Sequence, residues 1–220
     1  MRIRWIILSL PFLSVTPVQA MAGAWPREKG EVFVSAMATQ DTDQLQGYPI
    51  GTAYVEYGLR HNITVAGKIT YDFAVLEATE YELSARWHFP DNDKPLKKAI
   101  SLTLAGPVED PRVEPRFHFG YGFDSPFGAG WADLEVYASV STQGLETDYG
   151  GYGVLGLKPH DRLMAMLGVD VMVTPDKTFV KAIPSVAWEL NPNRHLTMQY
   201  TRGLQGIEES EFGMGLWLQF

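Results

Sequence analysis

Beyond residue 30 the chain alternates between apolar and polar side chains, and the alternation restarts at short intervals. In residues 79–89, Tyr81, Leu83, Ala85, Trp87 and Phe89 share one side, and Glu80, Glu82, Ser84, Arg86 and His88 the other. A period of two is the signature of a β-strand whose faces meet different surroundings. Residues 112–123 repeat it, with Phe117, Phe119, Tyr121 and Phe123 opposed to Arg116, His118, Gly120 and Gly122. Read with the turn residues between them, these segments predict twelve strands, at about 30–39, 51–59, 62–72, 79–89, 97–106, 112–123, 131–140, 147–157, 161–173, 178–190, 193–202 and 209–220. The first and eighth are the least regular. Phe33 and Met37 interrupt a polar face in one, and Tyr149, Gly151 and Gly153 oppose Tyr152 and Val154 in the other. Without both the count falls to ten, and fourteen is the alternative above twelve.

Alternation alone fits both a soluble sandwich, whose apolar faces meet, and a barrel, whose apolar face meets lipid. Connection lengths separate the two. After even-numbered strands come tight pieces, Leu59-Arg60-His61, Lys158-Pro159-His160 and Asn191-Pro192. After odd-numbered strands come the longer polar stretches 40–50, 73–78, 141–146 and 203–208. Short periplasmic turns and longer outer loops are the outer-membrane arrangement, although 90–96 and 124–130 read as long for the periplasmic side. Aromatic residues form two bands, Tyr57, Trp87, Phe89, Phe123, Trp131, Trp188 and Phe220 at one set of strand ends and Tyr71, Tyr81, Phe179, Tyr200 and Phe212 at the other. Amphipathic rings settle at both membrane interfaces.

The final strand places Phe212, Met214, Leu216, Leu218 and Phe220 on one face. This pattern resembles the terminal assembly signal of bacterial outer-membrane β-barrels, which the barrel-assembly machinery reads. At the other end, Arg2 and Arg4 precede an apolar run from Trp5 to Leu13, and Val18-Gln19-Ala20 offers a cleavage site. Residues 1–20 are therefore expected to be a secretory signal peptide, and residues 21–220 a single barrel domain. Loss of Arg2 and Arg4 takes the formal charge from −8 to −10.

Composition narrows the remaining classes. Hydrophobic residues make up 45% of the chain but are dispersed with a period of two, so no segment suits a membrane helix of about 20 apolar residues. With no cysteine, the chain has no disulfide scaffold and no thiolate chemistry. Its acidic balance disfavours nucleic acid.

If lipid contacts the apolar face, the polar face lines a lumen. The expected lumenal residues are Glu56, Lys68, Glu80, Glu82, Arg86, His88, Arg116, His118, Asp133, Glu135, Asp170, Lys181, Glu189 and Arg202. Twelve strands ~4.7 Å apart and tilted by ~40° give a backbone radius of about 12 Å, which leaves a narrow passage. Small residues at Ser101, Thr103, Ala105, Gly120 and Gly122 place the free space beside the fifth and sixth strands. A mixed-charge lumen implies a channel for small hydrophilic solutes with weak ion selectivity. A closed structural or binding barrel whose lumen is filled by salt bridges is the alternative.

A lipid hydrolase would need a nucleophile, a base and an orienting group at the lipid-facing wall. His88 and His118 are expected to point inward, and His61, His160 and His195 lie in or beside tight turns, which leaves no such trio. Turn chemistry accounts for those three histidines without a metal, and no cofactor is implied. The acidic stretches Gln40-Asp41-Thr42-Asp43-Gln44 and Glu208-Glu209-Ser210-Glu211 are expected at the surface, near lipopolysaccharide.

Gly23-Ala24-Trp25-Pro26 followed by Lys29-Gly30-Glu31 resembles the mature start of proteobacterial outer-membrane barrels described as channels or transporters. The resemblance implies solute passage across the outer membrane of a Gram-negative bacterium. The expected fold is thus all-β, a transmembrane antiparallel up-and-down barrel of about twelve strands.

Overall fold

A computed structural model describes residues 23–42, 47–90, 94–144, 146–208 and 210–220. The expected signal peptide lies outside the described residues, as do Asp43, Gln44 and Glu209 of the two acidic stretches.

The described residues form twelve strands: β1 (Val32–Asp41), β2 (Ile50–Arg60), β3 (Ile63–Asp72), β4 (Glu77–His88), β5 (Leu96–Gly106), β6 (Arg112–Ser125), β7 (Gly128–Ser141), β8 (Thr147–His160), β9 (Leu163–Val173), β10 (Thr178–Asn191), β11 (Arg194–Gln205) and β12 (Ser210–Gln219). Each strand pairs with its sequence neighbours, and β1 pairs antiparallel with β12, so the sheet closes into an up-and-down barrel. The seam is continuous through Ala36 opposite Leu216 and Thr39 opposite Gly213. Closure leaves no edge strand with unpaired backbone groups, the condition for crossing hydrocarbon with strands.

The two faces differ as the alternation requires. Outward side chains remain exposed although they are apolar, for example Leu83 at 61%, Leu102 at 59% and Leu134 at 46%. Phe117, Leu155, Leu167, Val186, Met214 and Val55 continue this apolar surface around the circumference. A two-layer sandwich would bury these side chains against each other. Apolar surface on this scale suits lipid, since soluble monomers rarely expose contiguous apolar patches beyond a few hundred Å².

The irregular strands have a structural reason. Phe33 turns inward and meets Trp217 and Tyr54 edge-on, at ring-centroid distances of 6.2 and 6.5 Å. With Met164 and Ala187 these residues make an apolar cluster inside the barrel, against which Trp131 and Met166 pack. Trp131, expected in the interfacial aromatic band, therefore belongs to the interior. Tyr152 and Val154 of β8 also line the inside.

The connection expected to be long at 124–130 is tight. β6 runs to Ser125 and β7 begins at Gly128, whose φ of +109° makes the turn. Ser125 Oγ donates to the Gly128 carbonyl at 2.7 Å.

Candidate functional site

The candidate site is the interior of the barrel together with a chain segment that enters it. Residues 23–31 precede β1 at the end of the barrel that holds the C-terminal Phe220 and fold back into the lumen as a strap. Gly30 has φ of +88°, its N–H donates to the Gly58 carbonyl at 2.8 Å, and Gly58 N–H donates to the Glu31 carbonyl at 2.9 Å. A Cβ on Gly58 would lie 1.8 Å from the Glu28 carbonyl oxygen, so the strap can approach β2 only because that side chain is missing.

Once inside, the strap is held by polar contacts from several strands. Ala24 N–H donates to Asp133 Oδ2 at 3.3 Å, and His88 Nδ1 lies 3.1 Å from the Ala24 carbonyl. The other nitrogen of His88 lies 3.0 Å from Thr64 Oγ1, which also accepts from Arg27 N–H at 3.3 Å. Arg27, only 2% exposed, donates through Nε to Glu56 Oε2 at 2.6 Å. It also reaches Glu31, which accepts from Gln219 of the last strand at 2.6 Å. Trp25 covers Gly120, where an added Cβ would fall 2.3 Å from the indole. The free space expected beside Gly120 is therefore filled by the chain's own N-terminal segment.

Above the strap, charged side chains of β2 to β7 form two groups, one around Glu56 and one around Arg116. Glu56 accepts from Arg86 at 2.9 Å and from the Tyr54 hydroxyl at 2.6 Å, in addition to Arg27. Lys68 meets Glu82 at 2.6 Å, and the other oxygen of Glu82 meets Arg116 at 3.1 Å. Arg116 also bonds Glu135 at 2.8 Å and Glu114. The Arg116 guanidinium lies 5.0 Å from the ring centre of Tyr137. His118, fully buried, lies between Ser101 Oγ at 2.8 Å and Glu135 Oε2 at 3.2 Å. Buried charges are tolerated when paired and hydrogen-bonded in this way.

Of the residues expected to line the lumen, Glu56, Lys68, Glu82, Arg86, His88, Arg116, His118, Asp133 and Glu135 are brought together on this half of the barrel. Asp170 and Lys181 face each other across the β9–β10 pair, apart from that cluster. Glu80 lies in the exposed outer part of β4, opposite Thr70. Glu189 lies opposite His195 near the tight turn between β10 and β11. Arg202 does not belong to the lumen. It is exposed, pairs with Ala182 and Ser210, and shares its face with Tyr200, whose hydroxyl bonds Ser210 Oγ.

Four further residues complete the site. Arg27 and Tyr54 both bind Glu56, Glu114 joins the Arg116 group, and Arg112 ties Asp148 at 2.8 Å to Ser139 at 2.7 Å near the mouth opposite the strap. Glu114 was legible, since it stands two residues before Arg116 on one strand.

On the opposite half Asp170, Lys181 and Glu189 lie away from the cavity, whose charged lining comes from β2 to β7. Met37, Val154, Met166, Ile183, Thr197 and Trp217 face that lining across this cavity of about 450 Å³. A larger depression, about 640 Å³, lies on the outer wall among Val55, Val65, Leu83 and Leu102. That surface is apolar and faces lipid, so the interior cavity is the one with chemistry to offer.

No protein-family model and no curated protein matches the sequence. Among solved structures the fold resembles the KdgM porin, with TM-score 0.67, 7% identity, and 86% of this chain covering 99% of that one. It also resembles the COG4313 outer membrane channel from Pseudomonas putida F1, with TM-score 0.64, 12% identity, and 92% of this chain covering all of that one, 100%. A third is the NanC porin, with TM-score 0.65, 6% identity, and coverages of 85% and 98%. At these identities the likeness is one of fold.

Proposed function

We propose that this protein is an outer-membrane channel that passes small polar solutes through a narrow, mixed-charge lumen. The observation that carries the reading is the one-sided lumen. The ion pairs that border the cavity come from β2 to β7 and leave an open space against the other half. A barrel built only as a scaffold has no need to keep such a space. In this reading the chain is exported by a cleaved signal peptide and inserted by the barrel-assembly machinery through its terminal strand. It resides in the outer membrane of a Gram-negative bacterium, with its outer rim among lipopolysaccharide. The strap narrows the periplasmic mouth.

The reading is non-enzymatic. His88, His118 and His195 are buried, and His61 and His160 lie exposed at turns, so no histidine stands on the lipid-facing wall where a lipid hydrolase needs its base. A second reading, a closed barrel, is favoured by the Arg27–Glu56–Arg86 and Arg116 networks, which cross-link the charged half. Uptake into liposomes decides between them. Vesicles holding the folded protein should swell in a monosaccharide and stay unchanged in a trisaccharide. Equal impermeability to ions, amino acids and monosaccharides would leave the closed barrel.

A further inference from the structure

The interior cavity has two chemically unlike walls. On one, cation and anion alternate at short range, Lys68 with Glu82 at 2.6 Å, Glu82 with Arg116 at 3.1 Å, and Arg116 with Glu135 at 2.8 Å. On the other, Val154, Met166, Ile183 and Trp217 supply apolar side chains, with the uncharged Ser185, Thr197 and Gln199 among them. We infer that this cavity is a subsite for small zwitterionic amphiphiles, molecules with an ammonium and a carboxylate at one end and an apolar or aromatic body at the other. The inference rests on the channel reading above and names the solute class that reading leaves open.

The charge pattern selects the head. A lone anion entering beside Arg116 meets Glu82 and Glu135 at once, and a lone cation beside Glu82 meets Lys68 and Arg116. A head with both signs matches the alternation and exchanges one internal pair for two new ones. The facing wall selects the body. Met166 and Met37 are flexible and polarisable, so rings and branched chains of different shape are accommodated. A volume of about 450 Å³ lies within the range of small-molecule sites.

Among the described residues, Arg86 Nε, Thr103 Oγ1, Thr197 Oγ1 and Trp217 Nε1 are buried without a hydrogen-bond partner. All four residues line this cavity. Buried unpaired polar groups are costly and rare. Two lie on the β4–β5 side and two on the β11–β12 side, and each of the four atoms is covered by neighbouring protein atoms, so the alternating charges of Lys68, Glu82, Arg116 and Glu135 are the groups that meet a solute in the cavity. Gly23 of the strap also borders the cavity, so a bound solute would rest against the strap.

The test is equilibrium binding to the purified full-length protein in detergent, read by saturation-transfer NMR with four probes: L-phenylalanine, glycine, phenylacetate and phenethylamine. Phenylalanine should bind roughly tenfold or more tightly than each of the others, because each lacks either the apolar body or one of the two charges. Ile183→Asn should reduce that advantage to about threefold or less, and Ile183→Val should keep it. Equal binding of all four probes, or of none, overturns the inference. The measurement needs no ion flow, so loss of conductance alone sinks the channel reading, and conductance without selective binding sinks the subsite.

Discussion

Arg27 Nε and Glu56 Oε2 lie 2.6 Å apart inside the barrel, joining a residue of the N-terminal strap to β2 with both side chains almost wholly buried. The same carboxylate is shared with Arg86 and Tyr54, so the latch on the strap is one edge of the Glu56 group. The strap is therefore tied to a charged group of the lumenal wall on β2 and β4.

Removing the latch should release the strap. Arg27→Ala leaves Glu56 paired with Arg86 and takes away the strap's own contacts to Glu56 and Glu31. Breaking a buried pair by removing one partner costs about 3–5 kcal/mol, more than the strap's remaining neutral hydrogen bonds replace at about 0.5–1.5 kcal/mol each. Single-channel recording should show larger unitary conductance for Arg27→Ala than for wild type.

Steric release should act without any change of charge. Gly58→Val places a side chain where the Glu28 carbonyl oxygen now sits, 1.8 Å from the position of a Cβ. The expected outcome is the larger conductance of Arg27→Ala, together with faster proteolysis after Lys29 in the detergent-solubilised protein.

Ion selectivity should depend on Arg116, which neutralises Glu82, Glu114 and Glu135 together. Arg116→Gln leaves three carboxylates with Lys68 as the remaining cation in that group. A ring of uncompensated acid favours cations. The reversal potential in a salt gradient should shift toward the cation equilibrium potential.

The lipid contact has its own test. Leu134, on the outward face of β7 and 46% exposed, lies in the middle of its strand. Leu134→Arg should lower the free energy of folding into lipid vesicles by about 2–4 kcal/mol, the cost of a base at the bilayer midplane. Denaturant titration in vesicles reads this directly. A loss under ~0.5 kcal/mol would mean that water, not lipid, surrounds that face.

Much of the fold was legible because two solvents act on two faces of one sheet. In β4 the alternation from Tyr81 to His88 is uninterrupted, and register follows from it. Arg202 was misplaced by its charge. Alternation puts it on the face of Tyr200, and near the outer rim a long basic side chain can extend from that face to headgroups. The strap was not legible, since residues 23–31 have no periodicity. Their course depends on missing side chains at Gly58 and Gly120 and on a carboxylate at Glu56, all distant in sequence. Gly120, which read as open lumen, is where the strap packs, whereas Gly122 has nothing within 4 Å of its missing side chain.

The central claim is that a water-filled passage runs through the barrel and that the strap narrows it. It is tested most directly by single-channel conductance in planar bilayers, comparing the wild-type protein with a variant lacking residues 23–28. The account predicts small, discrete openings for wild type and openings of higher conductance for the shortened chain. Baseline current from both proteins, each shown to be folded and inserted, would contradict it.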